Sequence, residues 1–267
     1  MTRGTVKTLE AGGFRWSYRE AEGQGTPVLF LHAFPLQKAM WDPVVDRLAG
    51  RAALAVDLPG FGGSRPVPER PSMDGYAAAI AAFLDALNVD RVVLCGLSMG
   101  GYLAFAFWRQ HRERVAGLIL ADTRAGADTP EAREGRFNLI ARLKEEGSRA
   151  ATGSLPNLVG PTTREAQPGL LAELERWVLA NPAEGIAAAS RAMAGRPDST
   201  PLLPEIEVPA LVIVGEEDTV TPPEEAQAMA EALPRADLVR IPGAGHLAAL
   251  EQPEAFAHAV AGFLERL

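Results

Sequence analysis

Short runs of aliphatic and β-branched residues recur along the chain, and between most of them apolar residues return at three- and four-residue spacing. The runs predict strands near residues 6–10, 14–19, 27–31, 53–57, 91–95, 115–121, 209–214 and 237–241. The spaced positions predict helices over 74–87, 99–110, 224–233 and 253–267. Gly12 and Gly13 join the first two strands as a hairpin, and the later strands alternate with helices. Alternation of this kind builds a parallel sheet covered on both faces, so the expected class is α/β with a mostly parallel, eight-stranded sheet.

Residues 123–204 break the rhythm, because they hold no convincing strand. Leu170, Leu171, Leu174, Trp177 and Val178 fall at i, i+1, i+4, i+7 and i+8, and Phe137, Ile140 and Leu143 form a shorter stripe. Both patterns predict amphipathic helices. Gly153, Pro156, Gly160-Pro161, Pro168 and Pro182 divide them, and the stretch from Arg196 to Pro204 reads as a return linker. The chain therefore divides into a first core segment, 1–122, an all-helical insertion, 123–204, and a second core segment, 205–267. Most of the insertion's apolar stripe serves to pack it down, with Phe137 and Trp177 as the candidates for lining a pocket.

Composition narrows the function classes. With 47% hydrophobic residues in 267, the chain can bury one large core beneath an insertion. Its net charge is −8 and it carries no block of lysine or arginine, which argues against a nucleic-acid partner. The lone Cys95 forbids an internal disulfide and, inside a predicted strand, packs as a small buried thiol. The first seven residues lack the apolar core of a signal peptide. Val92 to Trp108 is uncharged, but Ser98 and the Gly100-Gly101 pair divide it into strand and helix, so no membrane span is expected and the expected location is cytoplasmic.

The chemistry concentrates in Gly96-Leu97-Ser98-Met99-Gly100, between the strand at 91–95 and the helix at 99–110. A serine between a strand and a helix, with glycine two places to either side, reads as a sharp turn with one hydroxyl at its apex. Two more residues arrive in matching places. Asp218 follows the strand at 209–214 and Gly215, while His246 follows the strand at 237–241 and the turn Pro242-Gly243-Ala244-Gly245. Nucleophile, acid and histidine thus appear in the order Ser, Asp, His, each just past the carboxyl end of a strand, where open parallel sheets place ligand-handling groups.

These motifs resemble those of the α/β-hydrolase superfamily over nearly the whole chain. Leu31-His32-Ala33-Phe34-Pro35 resembles that family's oxyanion loop, and Asp57-Leu58-Pro59-Gly60-Phe61-Gly62-Gly63-Ser64 its loop after the following strand. Ala33 stands where the family usually has glycine, so either it bears a positive φ at a cost of roughly 1 kcal/mol or the loop takes another course. The resemblance implies that the insertion is a cap over the serine, shaping the substrate pocket.

In that reading Ser98 is the nucleophile, His246 its general base, and Asp218 the group that orients the imidazole. The N–H groups of Phe34 and Met99 are the expected oxyanion donors. No metal or cofactor is called for. Asp122, after the strand at 115–121, competes for the acid's role because some family members place their acid there; Asp218 is preferred because Gly215-Glu216-Glu217-Asp218, followed by Val220 and Pro222, resembles the family's acid loop. His32 is expected to prop loop backbone, His111 to face the carbonyls ending its helix, and Asp57 to cap a glycine-rich turn. His258 is expected to be non-catalytic, and Glu216 and Glu217 to be solvated turn residues.

A serine at the elbow excludes the branches that attack with a carboxylate, and the His-Gly-Gly-Pro-Gly loop usual in prolyl aminopeptidases is absent. The expected activity is hydrolysis of a small-molecule carboxylic ester or lactone. Residues 121–130 are similar to proteins assigned as enol-lactone hydrolases, with Arg124, Arg133, Arg136 and Arg142 as candidate partners for a substrate carboxylate. Carbon–carbon bond hydrolysis and cofactor-free haloperoxidase or perhydrolase activity use the same triad and stay open. So does a non-enzymatic reading, a small-molecule receptor on the hydrolase fold.

Overall fold

All eight expected strands form in a computed structural model that describes residues 5–48 and 50–267. They are β1 (Thr5–Ala11), β2 (Phe14–Ala21), β3 (Gln24–Leu31), β4 (Arg51–Val56), β5 (Val92–Leu97), β6 (Val115–Ala121), β7 (Ala210–Gly215) and β8 (Ala236–Ile241). One sheet contains them all in the order β1-β2-β4-β3-β5-β6-β7-β8; β1 and β2 pair antiparallel, as do β2 and β4, and the remaining pairs are parallel. Every residue of β5 and β7 is buried, which is why those runs read as unbroken apolar stretches and not as alternation.

The strand order places the helices. The connections through α2 (Met73–Ala86), α3 (Met99–His111) and α8 (Pro223–Ala232) all advance the same way along the sheet, so right-handed crossovers put them on one face. The connection through α1 (Asp42–Val45) runs backwards from β3 to β4, which puts α1 on the other face, where it packs on α10 (Pro253–Leu264). A four-residue helix, α9 (Ala248–Glu251), precedes α10. The chain leaves β3 in one direction and returns to β5 on its far side. The strand order thus reverses between β3 and β5, and the carboxyl ends of strands at such a reversal are where open parallel sheets place ligand-handling groups.

Between β6 and β7 the insertion is helical: α4 (Pro130–Glu146), α5 (Pro161–Ala166), α6 (Gly169–Ala180) and α7 (Ala183–Ala194), with 3₁₀ turns over 147–158. The two predicted stripes are α4 and α6, and Pro161, Pro168 and Pro182 each stand at the start of a helix. Sequence pattern missed α7, whose buried side is mostly small residues, Gly185, Ser190 and four alanines, with Ile186 and Met193, a composition with little contrast in hydrophobicity along the helix. Nor is Arg196 part of a loose linker. Its buried guanidinium bonds Asp128 and the Gly126 carbonyl, lies 3.9 Å from the Tyr102 ring centroid, and so ties the insertion's two ends together.

Candidate active site

Ser98 sits at the apex of the strand–turn–helix with φ 54° and ψ −111°, a backbone conformation costly for a side chain of its kind. Surrounding contacts hold it there: its N–H donates to Ala121 O at 2.9 Å, and its carbonyl accepts from Thr123 Oγ1 at 2.8 Å. The flanking glycines are steric necessities, because a Cβ on Gly96 would overlap the Gly100 carbonyl and one on Gly100 would overlap the Leu31 carbonyl. A serine at a helix N-cap ordinarily bonds the first turn with its hydroxyl. Here it makes no such bond, and the half-buried Oγ lies 2.8 Å from His246 Nε2.

His246 Nδ1 lies 2.9 Å from Asp218 Oδ2, and both side chains are buried. Asp218 also accepts from the N–H groups of Val220 and Thr221 at 2.8 and 3.0 Å and from Thr221 Oγ1 at 2.6 Å. Burial opposes ionisation of Asp218, but the hydrogen bond to His246, its charge and the Thr221 donors outweigh burial and hold the carboxyl below its ordinary range. Thr221 was not among the sequence candidates; a threonine three residues after an aspartate in a turn is the signal available for it.

Asp122 lies elsewhere. Its Oδ1 accepts from Gly215 N at 2.9 Å and its Oδ2 from Ala248 N at 3.1 Å, so it joins the end of β7 to the segment after His246 without touching the imidazole. Complete burial, reinforced by the Asp218 charge, pushes its carboxyl well above the usual range against those two donors.

Leu31 pairs with Gly96 across β3 and β5, which brings the loop beginning at His32 beside the elbow. Among the described residues, neither Phe34 N–H nor Met99 N–H donates to a protein acceptor, and Met99 opens α3, whose first N–H groups have no helical partner. Ala33 has no positive φ; its N–H turns to Met40 Sδ at 3.2 Å, so the loop avoids the strain that alanine there would otherwise cause. His32 props the backbone as expected, with Nδ1 2.9 Å from Ala33 O and Nε2 accepting from Leu58 N at 3.2 Å. That pattern specifies a neutral ring with the proton on Nδ1.

Burial drives His32 down to about 4. The folded ring thus stays neutral while an unfolded one, titrating near 6.5, takes up a proton. Stability therefore falls as the pH is lowered from 6.5, by an amount approaching roughly 3 kcal/mol near pH 4. The His32 Cε1–H resonance should stay flat from pH 8 to 5; a midpoint near 6.5 would contradict the buried neutral ring.

A family model for the alpha/beta hydrolase fold matches residues 26–253. The chain belongs to the alpha/beta hydrolase family. It is 32% identical over 246 residues, 89% of this chain and 95% of the relative, to a pimeloyl-[acyl-carrier protein] methyl ester esterase of Nitrosomonas europaea. Its fold matches that of a thermophilic esterase from Thermogutta terrifontis with a TM-score of 0.92 at 40% identity, covering 100% of this chain and 99% of that one. The enol-lactonase from Burkholderia xenovorans LB400 matches with a TM-score of 0.89 at 27% identity, over 97% and 100% of the two chains.

In this alpha/beta hydrolase the insertion sits on the carboxyl edge of the sheet through three polar seats. Asn181, buried between α6 and α7, donates to the Pro35 and Leu36 carbonyls at 2.9 and 3.3 Å and accepts from Gly62 N at 2.8 Å. Thr162 bonds Glu217 through both its hydroxyl and its N–H, so Glu217 is a half-buried tether and not a solvated turn residue; Glu216 is exposed as expected. Gly160 N–H donates to the buried Glu251 at 2.8 Å. Sequence reading found neither Asn181 nor Glu251: the partners of Asn181 lie 119 to 146 positions away, and Glu251 joins two near donors, Gly245 and Leu247, to one 91 positions away, Gly160.

Other candidates resolve by their surroundings. Phe137, offered as pocket lining, is 43% exposed beneath Arg133, while Trp177 is half-buried against the core. Three of the four arginines offered for a substrate carboxylate are engaged: Arg124 with the Val220 carbonyl and Glu225, Arg136 with Asp128, and Arg142 with Glu146. Asp57 caps the glycine-rich turn through Gly63 N at 2.8 Å and also pairs with Lys38. His111 lies against Phe107, and its Nε2 finds no partner among the described residues, contrary to the expected contact with helix carbonyls. His258 is exposed, and Cys95 is a buried thiol pushed up by desolvation. Among the described residues, no cluster of three or more His, Cys, Asp or Glu could hold a metal ion, and no helix is long and apolar enough to cross a membrane.

Proposed function

We propose that this protein is a serine hydrolase that cleaves small or medium carboxylic esters or lactones through an acyl-enzyme on Ser98. The observation that carries the reading is the Ser98–His246–Asp218 hydrogen-bonded chain, at 2.8 and 2.9 Å, assembled past the carboxyl ends of β5, β7 and β8. A relative named as an esterase that is alike in sequence over 89% of this chain, and an esterase and an enol-lactonase alike in fold over 100% and 97% of it, support it.

Ser98 Oγ adds to the carbonyl carbon as His246 Nε2 takes its proton, and the carbonyl electron pair moves onto oxygen. The N–H groups of Phe34 and Met99 receive that oxyanion, aided by the positive end of α3. Collapse re-forms the carbonyl and expels the alkoxide, which His246 protonates; in a lactone the freed hydroxyl stays tethered to the acyl group. Water then gives a proton to His246 and attacks the acyl carbon; collapse breaks the bond from that carbon to Ser98 Oγ, the imidazolium returns its proton to Oγ, and the acid leaves. Asp218, held ionised, keeps the His246 proton on Nδ1 and stabilises the imidazolium.

Turnover of p-nitrophenyl esters from acetate to palmitate, of γ-lactones and of a prolyl anilide tests the assignment. The insertion bounds the site from above, so kcat/KM should rise by up to roughly fourfold per methylene, about 0.8 kcal/mol each, and drop once the acyl chain exceeds the pocket. Anilide should be a poor substrate. A maximum at palmitate would mean an open groove, and efficient anilide cleavage would overturn the ester or lactone class. Saturable binding without turnover across the panel would turn the reading to a receptor.

A further inference from the structure

We propose that Glu251 is a positioning residue for His246 and makes the seat of the insertion part of the catalytic geometry; this rests on the hydrolase reading above. Its side chain is buried and ends in two oxygens that meet three backbone donors. Oε2 accepts from Gly245 N at 2.9 Å and from Gly160 N at 2.8 Å; Oε1 accepts from Leu247 N at 3.0 Å. Gly245 and Leu247 are the neighbours of His246 on either side, so one carboxylate grips the backbone on both flanks of the residue whose imidazole must meet Ser98. The third donor, Gly160, belongs to the insertion.

Two further contacts tighten the same junction. Gln167, at the end of α5, donates to the Glu251 carbonyl at 3.2 Å. A Cβ on Gly245 would overlap Gly160 N, so the insertion and the histidine loop meet backbone to backbone with no side chain between them. Glu251 itself opens no path to substrate and touches none of the reacting atoms. Its effect runs through the loop: freeing Gly245 and Leu247 lets the imidazole drift from Ser98 and Asp218, and the same loss unseats Gly160.

A carboxylate suits this place because it offers acceptors alone. In Glu251→Gln the amide group must turn its NH₂ towards at least one of the three N–H groups, leaving two donors facing each other. Glu251→Asp keeps both acceptors but is one methylene shorter, so it can reach some of the three donors and not all.

The test uses the full chain and a fluorophosphonate probe, which reports the reactivity of Ser98 without needing the natural substrate. Phosphonylation of Glu251→Gln should slow on the order of 10²-fold, the scale expected when a reacting group is displaced by about 1 Å, with Glu251→Asp in between. On any ester that the wild type turns over, kcat should fall by a much larger factor than KM rises, since the imidazole loses its place on both flanks while the insertion loses one seat of several. Hydrogen exchange in the wild type gives a readout that needs no variant to fold: the amides of Gly160, Gly245 and Leu247 should open as one unit at one rate. Independent exchange of the three, or a folded Glu251→Gln that reacts as fast as the wild type, overturns the proposal. Failure of the wild type itself to react with the probe would instead remove the hydrolase reading beneath it.

Discussion

Ser98→Ala should lower kcat by about 10⁶, the scale seen when a nucleophile acting within a serine–histidine–acid unit is removed. In the proposed mechanism this hydroxyl forms the acyl bond, and among the described residues Ser98 Oγ is the hydrogen-bond partner of His246 Nε2, at 2.8 Å, while the Thr221 hydroxyl meets the other ring nitrogen, Nδ1. His246→Ala should cost nearly as much, because an alcohol without a base within reach is a poor nucleophile at neutral pH. The double variant should be scarcely slower than either single one, since each removal already disables the unit. The fold should tolerate both changes. Ser98 is held by its backbone, through Ala121 and Thr123, and its side chain contributes nothing to capping α3. Steady-state kinetics on a preferred ester, with circular dichroism as the folding check, decide the matter. A Ser98→Ala enzyme retaining a tenth of wild-type activity would end the acyl-enzyme mechanism, and strictly additive losses would mean that serine and histidine act separately.

Asp218→Asn should lower kcat by about 10⁴ while leaving the fold intact. The amide keeps the size and planarity of the carboxyl, but its NH₂ can face His246 Nδ1, which drives the imidazole proton to Nε2 and leaves no lone pair for Ser98. The imidazolium formed during attack also loses its counter-charge. Asp122→Asn makes a different demand. Its two oxygens accept from Gly215 N and Ala248 N, so the amide sets an NH₂ against one N–H and costs stability, about 1–3 kcal/mol, with little change in chemistry per folded molecule. Thermal melts and active-site titration separate the two effects. If Asp122→Asn, well folded, were the variant that lost activity, the acid's role would pass to Asp122.

Much of the site was legible locally. The elbow is contiguous, and its glycines carry their own reason, since close passage of backbone segments leaves no room for a Cβ at residues 96 and 100. Asp218 follows an apolar run ending in glycine, and His246 follows a strand-like run and a Pro-Gly-Ala-Gly turn, so the strand that delivers each can be read without knowing its neighbours. The helix α7 escaped notice because alanine fills one face as easily as another, and pattern reading depends on contrast. Glu217 was misread for a related reason: in sequence it is one of three acids in a turn, and only the arrival of Thr162 from the insertion gives it partners.

From sequence alone came the α/β class, the strands and most helices, the helical nature of the insertion, and the order of serine, acid and histidine. All of these follow from short-range backbone preference and from the periodicity of apolar residues, which neighbours along the chain enforce. Tertiary structure decided which acid meets the imidazole, because Asp122 and Asp218 occupy equivalent ends of adjacent strands, β6 and β7, and only the three-dimensional path of residues 243–248 selects between them. It likewise decided that Asn181 and Glu251 brace the loops of the site. Each has a buried polar head whose desolvation must be matched; for Asn181 every partner, and for Glu251 the third of its donors, lies far along the chain, and that match exists only once the sheet has brought the carboxyl ends of its strands together.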